Sequence, residues 1–98
     1  MGILPRKTKK QINEEIKQLL EQAEYVLDSI INDTTVPRNI RRITQEAKDN
    51  LQNENSSPAL NASNAISLLD DLSQDPNCPL HTRTRIFQIL SILEQIHD

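Results

Sequence analysis

Residues 31–42 read INDTTVPRNIRR, and this stretch decides the fold because one helical pattern ends in it and another begins. After the first pattern stops, two threonines follow and Pro37 opens the second pattern. Proline is tolerated at the first position of a helix but not in its interior. The stretch therefore predicts a tight turn between two helices. It also places Arg38, Arg41 and Arg42 in the first two turns of the second helix, where the helix dipole is already positive.

Upstream of this turn, the sequence predicts a long amphipathic helix from about residue 11 to residue 32. Thr8 and Gln11 have the spacing of a capping box, in which each side chain satisfies a backbone N–H of the other residue. At 100° per residue, the apolar side chains of this segment fall within an arc of about 140°. They are Ile12, Ile16, Leu19, Leu20, Ala23, Val26, Leu27, Ile30 and Ile31.

Downstream, two more proline-marked starts predict a third and a fourth helix. Residues 53–57 read as a linker, and Ser57 and Pro58 as the N-cap and first position of helix 3. Pro79 opens helix 4, which we expect to run to about residue 96. Short links between helices make them antiparallel neighbours. The prediction is an all-α, four-helix up-and-down bundle of two hairpins, residues 11–52 and 57–97. The expected apolar positions of helix 3 are Leu60, Ala62, Ala65, Ile66, Leu69 and Leu72.

The two hairpins resemble each other in sequence. A shift of 42 residues aligns Leu27 with Leu69, Asp28 with Asp70, Asp33 with Asp75, Pro37 with Pro79, and Arg41 with Arg83. Helix pairs joined by a turn with Asp and Pro, and with Arg in the second helix, are typical of HEAT-type repeats. Because two repeats are fewer than an open solenoid needs, a closed bundle or a dimer is the expected arrangement.

This repeat suggests a structural role for one arginine in each hairpin. Asp33 precedes Arg41 by eight residues, just as Asp75 precedes Arg83. We expect each aspartate to cap the next helix and to pair with its arginine. Together with Pro37 and Pro79, these residues would form a brace across each turn that needs no ligand.

The brace leaves Arg38, Arg42 and Arg85 unexplained, and these are candidate binding residues. An arginine patch at a helix N-terminus suits a phosphate, an RNA backbone or an acidic protein surface, because the backbone N–H groups there also attract anions. The alternative is a solvated face with surface ion pairs. Tyr25 is a further candidate, since it falls on the acidic side of helix 1. It is either a contact residue for a partner or a ring that lies over a neighbouring helix.

The distribution of charge divides the chain into a basic arm, residues 1–10, and one helical domain, residues 11–98. The arm holds four basic residues and no acidic one, whereas the domain holds seven basic and fourteen acidic residues. Such an arm is either a tether for nucleic acid or a partner, or a frayed terminus. We find no apolar run long enough for a membrane span and no signal peptide, so we expect a soluble, cytoplasmic protein.

The sequence offers little for catalysis, metal binding or a cofactor. Cys78 is the single cysteine and aligns with an apolar position of the first hairpin, which indicates packing. His81 and His97 have no second ligand at metal-binding spacing. Asp28 and Asp70 are equivalent in the repeat, but two carboxylates alone are weak evidence for an active site. We therefore expect a protein that is not an enzyme and has no metal, cofactor or small-molecule substrate.

Helix 4 carries more apolar residues than one helix face holds. Either it is the most central helix or part of it is a self-association surface. The apolar residues are Ile86, Phe87, Ile89, Leu90, Ile92, Leu93 and Ile96.

The turn sequences INDTTVPRNIRR and DPNCPLHTRTRI, residues 31–42 and 75–86, resemble those of a family of short archaeal proteins classed as uncharacterised. The resemblance implies an all-helical up-and-down bundle with no assigned activity and no catalytic residues. Our leading hypothesis is a non-enzymatic helical interaction or scaffold protein that binds a protein partner or itself. The alternative is an RNA- or ribosome-associated protein that contacts phosphates through Lys7, Lys9, Lys10, Arg38, Arg42 and Arg85.

Overall fold

The computed structural model describes residues 6–97 and contains four α-helices. They are α1 (Lys9–Ile31), α2 (Arg38–Leu51), α3 (Pro58–Ser73) and α4 (Leu80–Leu93). Each helix packs against the next one along the chain, and α4 closes the ring by packing against α1. Residues 6–97 contain no β-strand. The predicted all-α four-helix bundle is confirmed.

The helix starts follow the capping signals in the sequence. The capping box at α1 is formed, since Gln11 N donates to Thr8 Oγ1 at 3.1 Å and Thr8 N donates to Gln11 Oε1 at 2.8 Å. Ser57 caps α3 by accepting from Leu60 N at 3.2 Å, and Pro58 is the first helical residue.

The other two helices start one residue later than expected. Pro37 and Pro79 are N-cap residues, with extended ψ angles of 145° and 151°, so α2 begins at Arg38 and α4 at Leu80. At its other end, α4 stops at Leu93, three residues before the expected end. Each proline therefore lies just before its helix and fixes the direction in which the chain enters it.

The core contains the same positions from both hairpins. Leu27 and its counterpart Leu69 are fully buried. Ile30 is also fully buried, and its counterpart Leu72 is 2% exposed. Each such side chain contributes roughly 1.5–3 kcal/mol by leaving water. Leu60 departs from the prediction, because it is 51% exposed on the outer face of α3.

The prolines and aspartates of the repeat build nearly identical turns. Asp33 Oδ1 accepts from Thr35 N at 2.9 Å, and Asp75 Oδ1 accepts from Asn77 N at 2.8 Å. This side-chain bond to the backbone two residues on is the Asx turn. Because each carboxylate closes its own turn, neither caps the helix that follows, and α2 and α4 have no side-chain cap. The expected capping by these aspartates is therefore corrected.

The arginines hold the turns through backbone carbonyls. Arg41 Nε donates to Val36 O at 3.1 Å, and Arg83 Nη2 donates to Cys78 O and to Asp75 O, each at 3.4 Å. Within residues 6–97, no ion pair joins either arginine to the aspartate eight residues before it. The expected carboxylate partners are thus replaced by carbonyl partners, at repeat-equivalent positions.

The linker at residues 53–57 is a third turn of the same kind. Asn53 Oδ1 accepts from Asn55 N at 2.9 Å, which repeats the Asx turn. Asn61, which is 4% exposed, donates from Nδ2 to Asn53 O at 2.7 Å. This contact spans eight residues, as the bond from Arg83 to Asp75 does. Asn61 therefore plays the part at this turn that an arginine plays at the other two.

Candidate functional site

Arg85, a predicted binding residue, has partners inside the fold. Its Nη1 donates to Ser29 O at 3.3 Å and to Asp33 Oδ2 at 3.4 Å, which ties the start of α4 to the end of α1. His81 Nε2 lies 3.5 Å from the same carboxylate oxygen. Hydrogen bonds from the hydroxyl and backbone N–H of Thr35, followed by the nearby His81, hold the pKa of Asp33 below its ordinary value despite partial burial. The structure thus gives Arg85 a structural role that sequence reasoning missed.

Arg38 and Arg42, unlike Arg85, are candidate binding arginines whose side chains have no partner in the described part of the chain. Both are exposed, and within residues 6–97 neither side chain makes a hydrogen bond or an ion pair. Arg42 lines a shallow cleft of about 360 Å³ between α2 and α3, together with Glu46, Asp71 and Asp75. The surroundings of Arg42 are therefore net negative, which disfavours a phosphate at this place.

The basic arm is shorter than predicted within the described residues. Lys9 and Lys10 form the first turn of α1, and Lys7 Nζ lies 2.9 Å from Glu15 Oε1. The remaining part of the predicted arm, residues 1–5, lies outside the described residues.

Tyr25 stands out as the most exposed large apolar side chain among residues 6–97. It is 80% exposed, so its ring does not lie over a neighbouring helix. It stands at one end of an open groove of about 610 Å³ along the seam between α1 and α4. We call this the Tyr25 groove, and it is lined by Gln18, Glu21, Gln22, Tyr25, Val26, Gln88 and Ile92.

The groove follows from helical spacing on two antiparallel helices. Gln18, Gln22 and Tyr25 follow the three- and four-residue step along α1, and Gln88 and Ile92 follow it along α4. Gln18 and Gln22 also line an adjoining cleft of about 370 Å³. The Tyr25 groove therefore combines apolar side chains with glutamines, and the adjoining cleft adds the charged side chains of Lys7 and Glu15.

Several acidic side chains of α1 lie near Tyr25 in sequence, but two of them already have partners at α2 and do not line the groove. Asp28 pairs with Lys48 at 2.8 Å, a bond that raises the pKa of Lys48. Glu24 accepts from Gln52 Nε2 at 3.3 Å. Glu21, which lines the groove itself, has no partner within residues 6–97. The negative charge available to a partner is thus centred on Glu21.

The weaker candidates for chemistry lie apart from this groove. Cys78 is buried at the turn position that Val36 occupies in the first hairpin, and burial raises the pKa of its thiol. Asp28 is bound to Lys48, while Asp70 is exposed on α3. Over the described residues, no group of three or more His, Cys, Asp or Glu side chains is placed to hold a metal ion. In the same range, each helix is too short or too polar to cross a membrane.

Comparison with known proteins gives a consistent family. Residues 6–96 match the Uncharacterised protein family (UPF0147). A UPF0147 protein from Desulfurococcus amylolyticus is 51% identical over 87 residues, which is 89% of this chain and 93% of that protein. Another from Sulfurisphaera tokodaii is 51% identical over 79 residues, covering 81% of this chain and 89% of that one.

Two crystal structures share the fold. One is a protein from uncharacterized family UPF0147 from Thermoplasma acidophilum, with a TM-score of 0.80 at 37% identity, covering 86% of this chain and 99% of that one. The other is a protein of unknown function, with a TM-score of 0.75 at 39% identity, covering 97% of this chain and all of that one.

Proposed function

The chain belongs to the uncharacterised protein family UPF0147, and we propose that it is a non-enzymatic interaction protein that binds a protein partner in the Tyr25 groove. The observation that carries this proposal is the tyrosine itself, which is 80% exposed and lines an open groove between α1 and α4. Tyrosine is among the residues that dominate binding energy at protein interfaces.

The lining of the groove suits a polypeptide. Its floor includes Val26 and Ile92, which offer apolar contact, and its walls include Gln18, Gln22 and Gln88. An amide side chain both donates and accepts hydrogen bonds, so these glutamines can meet the N–H and C=O groups of a peptide backbone. Small-molecule sites instead enclose most of the ligand surface, and this groove is open along the seam.

The charge of the groove indicates which kind of partner would bind there. Glu21 lines the groove without a partner in the described part of the chain. A segment with an apolar side chain against Tyr25 and a Lys or Arg beside Glu21 would complement both features. Charges at the rim mainly raise the association rate and select the partner, while the buried apolar contact supplies affinity.

The second candidate function, contact with RNA or the ribosome, has support from the free side chains of Arg38 and Arg42 and from Lys9 and Lys10. It is weaker for three physical reasons. Arg85 is tied down within the fold, and Arg42 stands among carboxylates. Tyr25 and Phe87 also lie far in sequence from Arg38 and Arg42, the candidate arginines without a partner, whereas single-stranded RNA binding uses aromatic stacking beside basic groups.

Affinity purification of the tagged protein from its own host separates the two functions. The variants are Tyr25→Ala and, as the matched control, the double variant Arg38→Ala/Arg42→Ala. All three side chains are exposed, so both variants should fold with stability within about 0.5 kcal/mol of the wild type.

We expect a protein partner that survives RNase and high salt, is lost with Tyr25→Ala and is kept by the arginine variant. Partners that are lost after RNase treatment, at high salt and with the arginine double variant would instead establish the RNA function, because phosphate contacts weaken steeply with salt. A partner that binds Tyr25→Ala as strongly as the wild type would refute the Tyr25 groove as the site.

A further inference from the structure

The outer side of α4 is an exposed stripe without charge. Leu80, Thr84, Phe87 and Ser91 form this α4 stripe, with Leu80 76% exposed and Phe87 54% exposed. Charged residues make up 26% of the chain, so their absence from the exposed positions of a surface helix is unusual. The stripe is distinct from the Tyr25 groove, because the α4 residues that line the groove are Gln88 and Ile92.

The spacing of the α4 stripe is that of a helix–helix contact. Its members are separated by four, three and four residues, and at 100° per residue they fall within an arc of about 60°. Alternating steps of three and four residues are what two packed helices present to each other. The stripe is therefore shaped to receive another helix along its length.

The charged residues of α4 are used inside the fold. Arg83 donates to the carbonyls of Cys78 and Asp75, and Arg85 binds Asp33. The neighbouring helix α3 continues the neutral surface with a second exposed leucine, Leu60. The exposed residues of α3 before its acidic end are Pro58, Leu60, Ser63, Asn64 and Ser67.

From this pattern we infer that the α4 stripe binds the α4 stripe of a second copy of the same chain, antiparallel around a two-fold axis. A symmetric contact places each residue near the same surface of the other copy, so any charge close to the axis meets its like. The α4 stripe avoids that repulsion because it is neutral, whereas the exposed face of α1 carries Lys10, Glu14, Lys17 and Glu21.

The size of the surface sets the strength of this dimer. The 14 residues of α4 span about 21 Å, and α3 lies beside it at a typical interaxial distance of about 8–10 Å. The two outer faces thus offer roughly 400 Å² in projection. Stable interfaces bury about 800 Å² per partner. Because the two outer faces offer only about half of that area, we expect a weak, reversible dimer that forms at high micromolar concentration and is held mainly by Phe87.

Sedimentation velocity on the full chain, from micromolar to sub-millimolar concentration, tests the inference. The wild type should shift with concentration from the 11.2 kDa monomer towards twice that mass. Phe87→Lys should raise the dissociation constant about thirtyfold or more, which is the loss expected at a dominant contact residue. Leu80→Lys, at a more exposed position, should weaken the dimer in the same direction.

The matched control is Tyr25→Lys, which introduces the same charge at an exposed aromatic residue outside the stripe. This variant should dimerise as the wild type does, and thermal melts should show that all three variants are folded. A wild type that stays monomeric throughout would overturn the inference. So would a dimer that survives both stripe variants, or one that Tyr25→Lys disrupts equally. None of these results depends on a different protein as partner. They therefore test the dimer independently of the function proposed for the Tyr25 groove.

Discussion

Replacing Thr82 by valine should stabilise the protein, although it removes a polar group. Thr82 is fully buried in α4, and its hydroxyl has no hydrogen-bond partner within residues 6–97. An unsatisfied buried donor costs about 1–3 kcal/mol in desolvation. Valine keeps the shape and the β-branching, so Thr82→Val relieves this cost without creating a cavity. We expect a gain of about 1 kcal/mol, or roughly 4–8 °C in Tm for a domain of this size.

Thr44 supplies the control, because it is equally buried but its hydroxyl donates to Ile40 O at 2.8 Å. Thr44→Val removes a satisfied bond and should be neutral or destabilising by up to about 1 kcal/mol. Urea denaturation and thermal melts of the two variants measure the difference. The reasoning fails if Thr82→Val lowers stability as much as Thr44→Val does, since the hydroxyl of Thr82 would then be satisfied in solution.

Three further predictions concern the turns. Arg41→Met should lower the free energy of unfolding by about 1–2 kcal/mol, because a charged donor to a turn carbonyl is lost. The control, Arg38→Met at an exposed position, should change it by less than about 0.5 kcal/mol. Equal urea midpoints for the two variants would contradict the role of Arg41 in the turn. The lowered pKa of Asp33 stabilises the fold above the unfolded value of about 3.9, and this contribution is lost as pH falls. Asp33→Asn should therefore flatten the decline of the urea midpoint on acidification, while Asp70→Asn, on an exposed face, should leave the decline unchanged. Burial raises the pKa of Cys78, so a thiol reagent should label the folded protein far more slowly than the urea-unfolded protein, and similar rates would show the cysteine to be accessible.

The local signals in the sequence are sufficient to predict the four helices. The capping box at Thr8 and the cap at Ser57 form as predicted, because such caps depend only on residues three apart in the chain. The long-range contacts were not predictable in the same way. Asp33 binds Arg85 across 52 residues, and no spacing within one hairpin indicates that pairing.

The braced turns show why a correct pattern led to the wrong partner atoms. The eight-residue spacing is real, but it aligns the arginine side chain with the turn carbonyls, since each aspartate is already bonded within its own turn. The same spacing separates Asn53 from Asn61 at the third turn. The sequence does not indicate that contact, because residues 53–57 lack the proline and the Asp–Arg pair that mark the other two turns.

Among the candidate binding residues, the sequence marked Tyr25 but not its surroundings. The position of Tyr25 on the acidic side of α1 leaves open whether its ring contacts a partner or lies over a neighbouring helix, and the groove exists only because α4 packs beside α1. Phe87 and Leu80 could not be separated from the core of α4 by hydropathy alone. Which apolar face of a helix is covered depends on how its neighbours are placed around the bundle.

Site-specific photo-crosslinking tests the proposed function most directly. Three matched proteins would carry a photo-reactive residue in place of Tyr25, Arg38 or Phe87. Each protein would be irradiated in extract from the native host. We predict that position 25 yields a covalent adduct with a different protein, resistant to RNase, and that position 38 does not. An adduct with RNA at position 38, with no protein adduct at position 25, would contradict the account.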